Sequence, residues 1–283
     1  MIDQGLVKRV VDSFVSLGLD DTDTNKACLD IYKEHFEISF IDATEKYYKQ
    51  ESESFLLTNT ISDYLKKAEE RLKEEEDRVE RYLNTQTRRP LISKCEDVLI
   101  RQHAEMMWES FQSLLDYDKD EDLQRMYALL ARISDGLEPL RKRFEEHVKK
   151  AGLAAVSKLL GGDSLGSGST AAAVDSIDPK SYVDALLDVH KKNSETVMRS
   201  FRGEAGFVAS LDKACREFVN RNAATGQSNA KSPELLAKHA DLLLRKSNKL
   251  AEEDDLEVAL NRVVSIPSFS LFYLMTFLFS LNR

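Results

Sequence analysis

The amino-acid sequence predicts an all-α protein. Apolar residues recur at alternating steps of three and four over long stretches, which places them along one face of a helix. The 283 residues are 42% hydrophobic and 31% charged, a composition typical of a globular protein. The chain has only five prolines and eleven glycines, and no stretch alternates apolar and polar residues as a half-buried strand does.

The first sixty residues contain two or three amphipathic stretches. Residues 2–19 predict a helix whose inward-facing side chains are Leu6, Val7, Val10, Val11, Phe14 and Leu17. A polar joint at 20–25 separates it from residues 26–57, which predict either two helices or one bent helix.

The clearest amphipathic pattern spans residues 60–83. Its predicted buried face consists of Ile61, Leu65, Ala68, Leu72, Val79 and Leu83. The other face carries acid–base pairs at four-residue spacing, namely Glu69–Lys73, Glu74–Arg78 and Asp77–Arg81. The acidic run from Glu74 to Glu76 is interpreted as a solvated helix back rather than a docking patch.

Two further helices precede the middle of the chain. Residues 87–90 predict a break, and residues 91–100 and 103–115 predict helices. The second of these carries a broad face of Met106, Met107, Trp108, Phe111 and Leu114. Such a cluster of methionine and aromatic residues is typical of a protein core, and we expect a core here rather than a cofactor site.

Residues 118–160 predict two helices that meet at a tight joint. Their common apolar stripe comprises Leu123, Met126, Leu130, Ile133, Leu137, Leu140, Phe144 and Val148. At the joint, Asp135 and Glu138 form a capping pattern, and Pro139 lies in the first turn of the second helix, where its missing N–H costs little. This pair cannot bury its own stripe, so other helices must cover it.

The last part of the chain predicts four more helices. Residues 161–178 are rich in glycine and serine and predict a flexible surface loop. Helices are expected at 179–197 and 207–219, and then from Ser232-Pro233-Glu234, with Leu235, Leu236, Ala240, Leu243 and Leu244 inward. A final helix is expected at 254–263, and residues 264–282 carry no charge.

The sequence offers no catalytic, cofactor-binding or metal-binding residues. Asp118, Asp120 and Asp122 have the opening spacing of an EF-hand, but Leu123 and Leu129 occupy the positions that need glycine and glutamate. The histidines are isolated at His35, His103, His147, His190 and His239. We therefore expect no enzyme activity, no cofactor and no metal.

Charge and cysteine usage narrow the class of protein further. The formal charge is −9 and the pI about 5.3, which disfavours nucleic-acid binding. Cys28, Cys95 and Cys215 lie far apart and match no metal or redox spacing. Reduced thiols are expected in the cytoplasm or nucleus, and the acidic start of the chain does not match a secretory signal.

Several strings of the sequence resemble the cullins, specifically the subclass that builds SCF-type ubiquitin ligases. The resemblance covers about residues 3–263. It is carried by SDYLKKAEERLKEEEDRVERYL (62–83), KCEDVLI (94–100), FQSLL-x-x-DKDEDLQRMYALLARI (111–133), GLAAVSKL (152–159), YVDALLDVHKK (182–192), GFVASLDKACREFVN (206–220) and SPELLAKHADLLLRKS (232–247).

This resemblance implies an elongated stalk of stacked five-helix cullin repeats that acts as a rigid, non-catalytic scaffold in ubiquitin-dependent protein degradation. It assigns residues 1–130 to the second repeat, with at most the end of the first, and 131–228 to the third. Residues 229–263 would begin the four-helix bundle of the C-terminal domain. The family's regions for the substrate adaptor with its F-box modules, the RING subunit and the modifier-acceptor lysine have no counterpart in these strings.

Residues 264–283 depart from the family pattern. One hypothesis is translated intron, because Val264-Ser265 can be encoded by GTGAGT, a good splice donor. The alternative is a membrane anchor. A helix that spans a membrane needs about 20 apolar residues, and the densely apolar stretch at 271–279 is too short to favour this alternative. Two alternatives to the ligase scaffold therefore stay open: a general helical-repeat interaction module, and a membrane-tethered cullin fragment.

Overall fold

The computed structural model describes residues 3–18, 28–160, 177–226 and 231–250, with the side chains of 243–250 excepted. Every regular element in these ranges is helical, and none is a strand, as the sequence predicts. The chain divides into two compact units, Met1–Pro139 and Leu140–Arg283, which are described separately.

The first unit contains seven α-helices among its described residues. They are α1 (Gln4–Ser16), α2 (Asp30–Tyr32), α3 (Ile38–Leu56), α4 (Ile61–Tyr82), α5 (Arg88–Leu99), α6 (Ala104–Asp116) and α7 (Asp120–Leu130). A π-helical turn at Lys33–Glu37 joins α2 to α3, so residues 30–56 form one continuous helical run. Short 3₁₀ turns at Thr85–Thr87 and Arg101–His103 precede α5 and α6.

Helix α4 is the centre of the first unit. Its N-terminus is capped by Thr60, whose hydroxyl accepts a hydrogen bond from the backbone N–H of Asp63. The helix contacts α1, α3, α5 and α7. Its predicted apolar face is confirmed at Leu65, Ala68, Leu72, Val79 and Leu83, which are all buried, whereas Ile61 in the first turn is half-buried. The core position of Met107, Phe111 and Leu114 in α6 is confirmed as well.

The second unit contains α8 (Glu138–Leu159), α9 (Pro179–Ser200), α10 (Ala205–Asn220) and α11 (Lys231–Leu250). Asp178 caps α9 by accepting from the N–H of Ser181, and Pro179 occupies the first turn. Leu140, Phe144 and Val148 of α8 are fully buried, as predicted. The ring of Phe144 lies 5.7 Å from those of Phe201 and Phe207, which stack at 4.0 Å.

The prediction for the inward face of α1 is partly wrong. Leu6, Val10 and Leu17 are 53%, 44% and 62% exposed, and only Val11 is fully buried. Helix α1 lies at the edge of its unit and contacts α2 and α4. Val11 and the half-buried side chains of Val7, Phe14 and Val15 supply its packing, whereas Leu6, Val10 and Leu17 face outward.

Two local predictions around α4 and α5 are also corrected. Pro90 does not break the chain, because α5 already begins at Arg88 and Pro90 lies in its first turn, where no N–H is needed. Of the predicted pairs along α4, only Asp77–Arg81 forms, at 3.7 Å. Glu74 pairs with Arg71 instead, and Glu69 with Arg125 of α7.

The joint between α7 and α8 has the predicted position. Helix α8 begins at Glu138 with Pro139 in its first turn, and Asp135 adopts a positive φ of 61°. Ile133 is buried beside it. The tight turn therefore depends on a left-handed residue as well as on proline.

Some sequence predictions lie outside the described residues. These concern the loop at 161–176, the side chains of Leu243 and Leu244, the helix at 254–263 and the apolar tail at 264–283. Within the described ranges, no helix has the length and hydropathy that crossing a membrane requires.

Candidate functional site: buried polar contacts of a helical scaffold

The most unusual feature of the first unit is a buried carboxylate in α4. Glu75 has no exposed surface, and its Oε1 accepts a hydrogen bond from the hydroxyl of Tyr48 in α3. The Arg78 guanidinium lies 3.0 Å from the same oxygen. Burial and the hydrogen bond to Glu75 raise the pKa of Tyr48, so the phenol remains protonated and donates.

This contact corrects the interpretation of Glu74–Glu76 as a solvated run. Glu75 is buried, and Glu76 is only 32% exposed and pairs with Arg132 at 2.7 Å. The sequence contained a signal for this arrangement. The predicted apolar face skips from Leu72 to Val79, two full helical turns, and Glu75 fills the missing inward position.

A second buried polar chain links the π-helical turn to the 3₁₀ turn before α5. The hydroxyl of Thr87 donates to Oε1 of Glu37 at 2.6 Å, and the hydroxyl oxygens of Tyr32 and Thr87 are 2.8 Å apart. All three residues are buried. Each buried polar group is thus hydrogen-bonded, which fixes two irregular segments against each other.

Two arginines join helices at the edge of the first unit. Arg71 of α4 binds both carboxylate oxygens of Glu51 in α3, and Lys67 lies 3.2 Å from the same group. Burial alone would raise the pKa of Glu51, but the hydrogen bonds from Arg71 and Lys67 outweigh it and hold the pKa below its ordinary value. Arg132 bridges Glu76 of α4 and Glu96 of α5.

The second unit contains a buried neutral network centred on Asn222. Asn222 lies just after α10 and is buried; its Nδ2 donates to the hydroxyl of Tyr182 in α9 at 2.9 Å and to the carbonyl of Phe218. Its Oδ1 accepts from the backbone N–H groups of Ala224 and Thr225. The Tyr182 hydroxyl in turn donates to Ser232 of α11 at 3.0 Å, so one amide joins three helices.

Sequence reasoning does not reveal the Asn222 network, because the residues between the helix expected at 207–219 and the one expected from Ser232 are mostly polar. A polar stretch between two helices is typical of solvent-exposed loops, and nothing in its composition distinguishes Asn222 from its exposed neighbour Asn220. The network depends on Tyr182 and Ser232, which are distant in the sequence.

Helices α8 and α10 are held together by a bidentate ion pair and a close approach. Arg141 binds both carboxylate oxygens of Glu204, which also caps α10 by accepting from the N–H of Phe207. Further along, a Cβ at Gly152 would lie 2.3 Å from the ring of Phe218. Glycine is therefore the only residue that allows α8 to approach α10 this closely at that point.

The described residues provide no cluster suited to a metal ion, and two of their cysteines are buried. No group of three or more His, Cys, Asp or Glu side chains within these ranges could hold a metal ion. Asp122 of the EF-hand-like spacing is buried at the start of α7, where it accepts from the hydroxyl of Ser62 at 2.6 Å. Burial raises the pKa of Cys95 and of Cys215 to about 12, which keeps both thiols protonated and unreactive.

Buried hydrogen bonds and bridging arginines thus fix the helices within each described unit. A model of the cullin family, the cullin alpha solenoid domain, matches residues 1–269. The chain is 48% identical to Cullin-1 of Dictyostelium discoideum over 267 residues, which are 94% of this chain and 33% of that protein. It is 45% identical to Cullin-1 of Schizosaccharomyces pombe over 267 residues, 93% of this chain and 33% of the relative.

Cullin-1 of Caenorhabditis elegans is 38% identical over 278 residues, which are 94% of this chain and 34% of that protein. The chain therefore belongs to the cullin family, and its relatives include Cullin-1 proteins of three organisms. It spans about a third of the length of the curated relatives it matches. The resemblance seen in the sequence strings is confirmed.

Proposed function

We propose that this chain is part of the rigid, non-catalytic scaffold subunit of an SCF-type cullin–RING ubiquitin ligase. The observation that carries the proposal is its 48% identity to a Cullin-1 over 94% of the chain. The scaffold separates a substrate-receptor end from an end that recruits the ubiquitin-conjugating enzyme. Fixing the distance and orientation of two bound groups raises their effective concentration at each other, so rigidity is the mechanism.

The contacts within each unit support a rigid role. Arg71, Arg132 and Arg141 each bind carboxylates on other helices, and Glu75 and Asn222 join helices through buried hydrogen bonds. A buried polar contact resists sliding of one helix over another, because a small shift leaves a donor or acceptor unsatisfied away from water. In this proposal the chain contributes stiffness and no catalytic residue.

The proposal extends to the organisation and partners of the parent protein. We assign residues 1–130 to the second cullin repeat, with at most the end of the first, 131–228 to the third and 229–263 to the start of the C-terminal four-helix bundle. The RING subunit and the substrate adaptor with its F-box modules bind the parent protein through regions other than these. The complex acts in the cytoplasm and nucleus in ubiquitin-dependent protein catabolism.

The test is affinity purification of the gene product, tagged at its own locus, followed by mass spectrometry. We expect co-purification of a RING-domain subunit and of adaptor or F-box proteins. Recovery of other helical-repeat partners without either would favour a general interaction module. Recovery in the membrane fraction would favour a tethered cullin fragment, and both of these outcomes contradict the proposal.

A further inference from the structure

Helices α8 and α10 run parallel and border a groove that lies beside the middle of α8 and the C-terminal end of α10. Arg141 of α8 pairs with Glu204 before α10, and Lys149 of α8 pairs with Glu217 near the end of α10, so both helices advance in the same direction. The groove has a volume of about 590 Å³ and is lined by Lys149, Arg216, Glu217, Asn220 and Arg221. Three cations thus face one carboxylate.

The lone carboxylate does not neutralise the groove. Glu217 hydrogen-bonds to Lys149, and this bond with the nearby charges of Lys213 and Arg221 lowers its pKa. Lys213 is already paired with Glu145 at 2.7 Å. Within the described ranges, the exposed guanidinium groups of Arg216 and Arg221 form no ion pair with any carboxylate. The groove therefore keeps an excess of positive charge.

Stabilisation of the helix end explains only part of this arrangement. The C-terminus of a helix favours cations, which accounts for Arg221 immediately after α10. It does not account for Lys149, which comes from α8 and completes a concave surface with both arginines. Guanidinium groups in such a surface match the planar, bidentate geometry of carboxylates.

We propose that this groove binds a short acidic segment of a partner protein, with at least two carboxylates a few residues apart. Arg216 and Arg221 each bind one carboxylate. The Asn220 amide donates one N–H to the carbonyl of Arg216 and its second N–H to a carbonyl of the bound peptide. A peptide fits better than a nucleic acid, because the chain carries a formal charge of −9 and strong nucleic-acid binding uses about 6–10 phosphate contacts. The inference goes beyond the scaffold role and does not rest on it.

The test is fluorescence anisotropy of the full 283-residue chain with a fluorescein-labelled peptide of six glutamates, at low and high sodium chloride. We expect saturable binding that weakens as salt rises. The double variant Arg216→Glu/Arg221→Glu should weaken binding by about tenfold or more. Glu217→Gln should tighten it by about threefold, since it removes the competing carboxylate.

The matched control is Arg88→Glu/Arg89→Glu in the first turn of α5, which makes the same change in net charge on exposed arginines. It should change the affinity by less than about twofold, since distant exposed charges are screened. Equal weakening by both double variants, no tightening in Glu217→Gln, or equal binding of a six-lysine peptide overturns the proposal. The proposal is also overturned if an oligothymidylate binds much more tightly and displaces the peptide, because the groove would then be a nucleic-acid site.

Discussion

The two units of the molecule differ in charge and in the chemistry of the contacts that fix their helices. Residues 1–139 hold 19 of the 40 lysines and arginines and 31 of the 49 acidic residues, a formal charge of −12. Residues 140–283 hold the remaining 21 lysines and arginines and the remaining 18 acidic residues, which gives a formal charge of +3. The first unit buries a carboxylate, Glu75, between a phenol and a guanidinium, whereas the second joins three helices through the neutral amide of Asn222.

This difference shows two ways to specify the packing of amphipathic helices. A buried charge fixes geometry strongly but needs its partners, since its desolvation is costly. A buried amide forms several hydrogen bonds with less desolvation cost and does not titrate. The two kinds of contact should therefore respond differently to substitution and to pH, which the following variants measure.

The largest effect is expected from charges placed in the apolar core of the second unit. Leu140 and Phe144 have no exposed surface, so Leu140→Asp or Phe144→Asp buries an unpaired carboxylate. Each should lower the free energy of unfolding by about 4 kcal/mol or more. The free energy of unfolding is measured by urea denaturation, with circular dichroism as the signal.

The control for these core variants is Met198→Asp in the same unit, where the side chain is 65% exposed. It should unfold within about 0.5 kcal/mol of the wild type, as substitutions at exposed positions usually do. If Leu140→Asp and Phe144→Asp also unfold like the wild type, the buried face of α8 is wrongly assigned.

The next largest effect is expected at Asn222. Asn222→Ala leaves the N–H groups of Ala224 and Thr225 without their acceptor, and should cost about 2–3 kcal/mol in urea denaturation. Asn220→Ala, at an exposed position two residues earlier, should cost less than about 0.5 kcal/mol. Equal effects of the two variants would show that the Asn222 network does not stabilise the unit.

In the first unit, Glu75→Gln tests the buried carboxylate against its neighbour. It keeps the side-chain shape but removes the charge that Arg78 binds, and should cost about 1–3 kcal/mol. Glu74→Gln, on a side chain that is 50% exposed, should change stability by less than about 0.5 kcal/mol. The same urea titration compares them, and a cost at Glu75 as small as that at Glu74 would restore the solvated interpretation of the run.

The smallest expected effect concerns pH. Burial lowers the pKa of His239 below its ordinary value of 6.5, against the opposing influence of Asp184 and Asp178, while Lys180 lowers it further. The folded chain then binds fewer protons than the unfolded chain, so the contribution of this histidine to stability is lost as pH falls below 6.5.

Thermal melts of His239→Gln and wild type at pH 7.5 and 5.5 measure this dependence. The drop in Tm between the two pH values should be smaller in the variant by about 2 °C. A full-sized drop in His239→Gln would show that this group does not titrate on unfolding.

The sequence predicted the helical class, most helix bounds and the buried stripe through Leu140, Phe144 and Val148, because helical periodicity is a local signal. It did not predict Glu75 as buried, although the gap between Leu72 and Val79 indicated an inward position there. Glutamate is rarely buried unless it is paired, and its partners here, Tyr48 and Arg78, are brought to Glu75 only by the folded structure.

Other features lay beyond local patterns altogether. The outward face of Leu6, Val10 and Leu17 follows from the edge position of α1, which periodicity does not report. The groove between α8 and α10 needs Lys149 and Arg216 to be neighbours, although 67 positions separate them in the sequence. In the sequence these cations are scattered among carboxylates, and parallel packing of the two helices brings them together.

The most direct test of the scaffold proposal is an exchange experiment. The matching third of Dictyostelium Cullin-1 is replaced with residues 1–263 of this chain, and polyubiquitin formation on a substrate is followed in the reconstituted ligase. We predict that the chimera supports ubiquitination at a rate comparable to the parent, and that the same chimera with Phe144→Asp does not. A chimera that melts at the parental temperature but leaves the substrate unmodified would contradict the proposal.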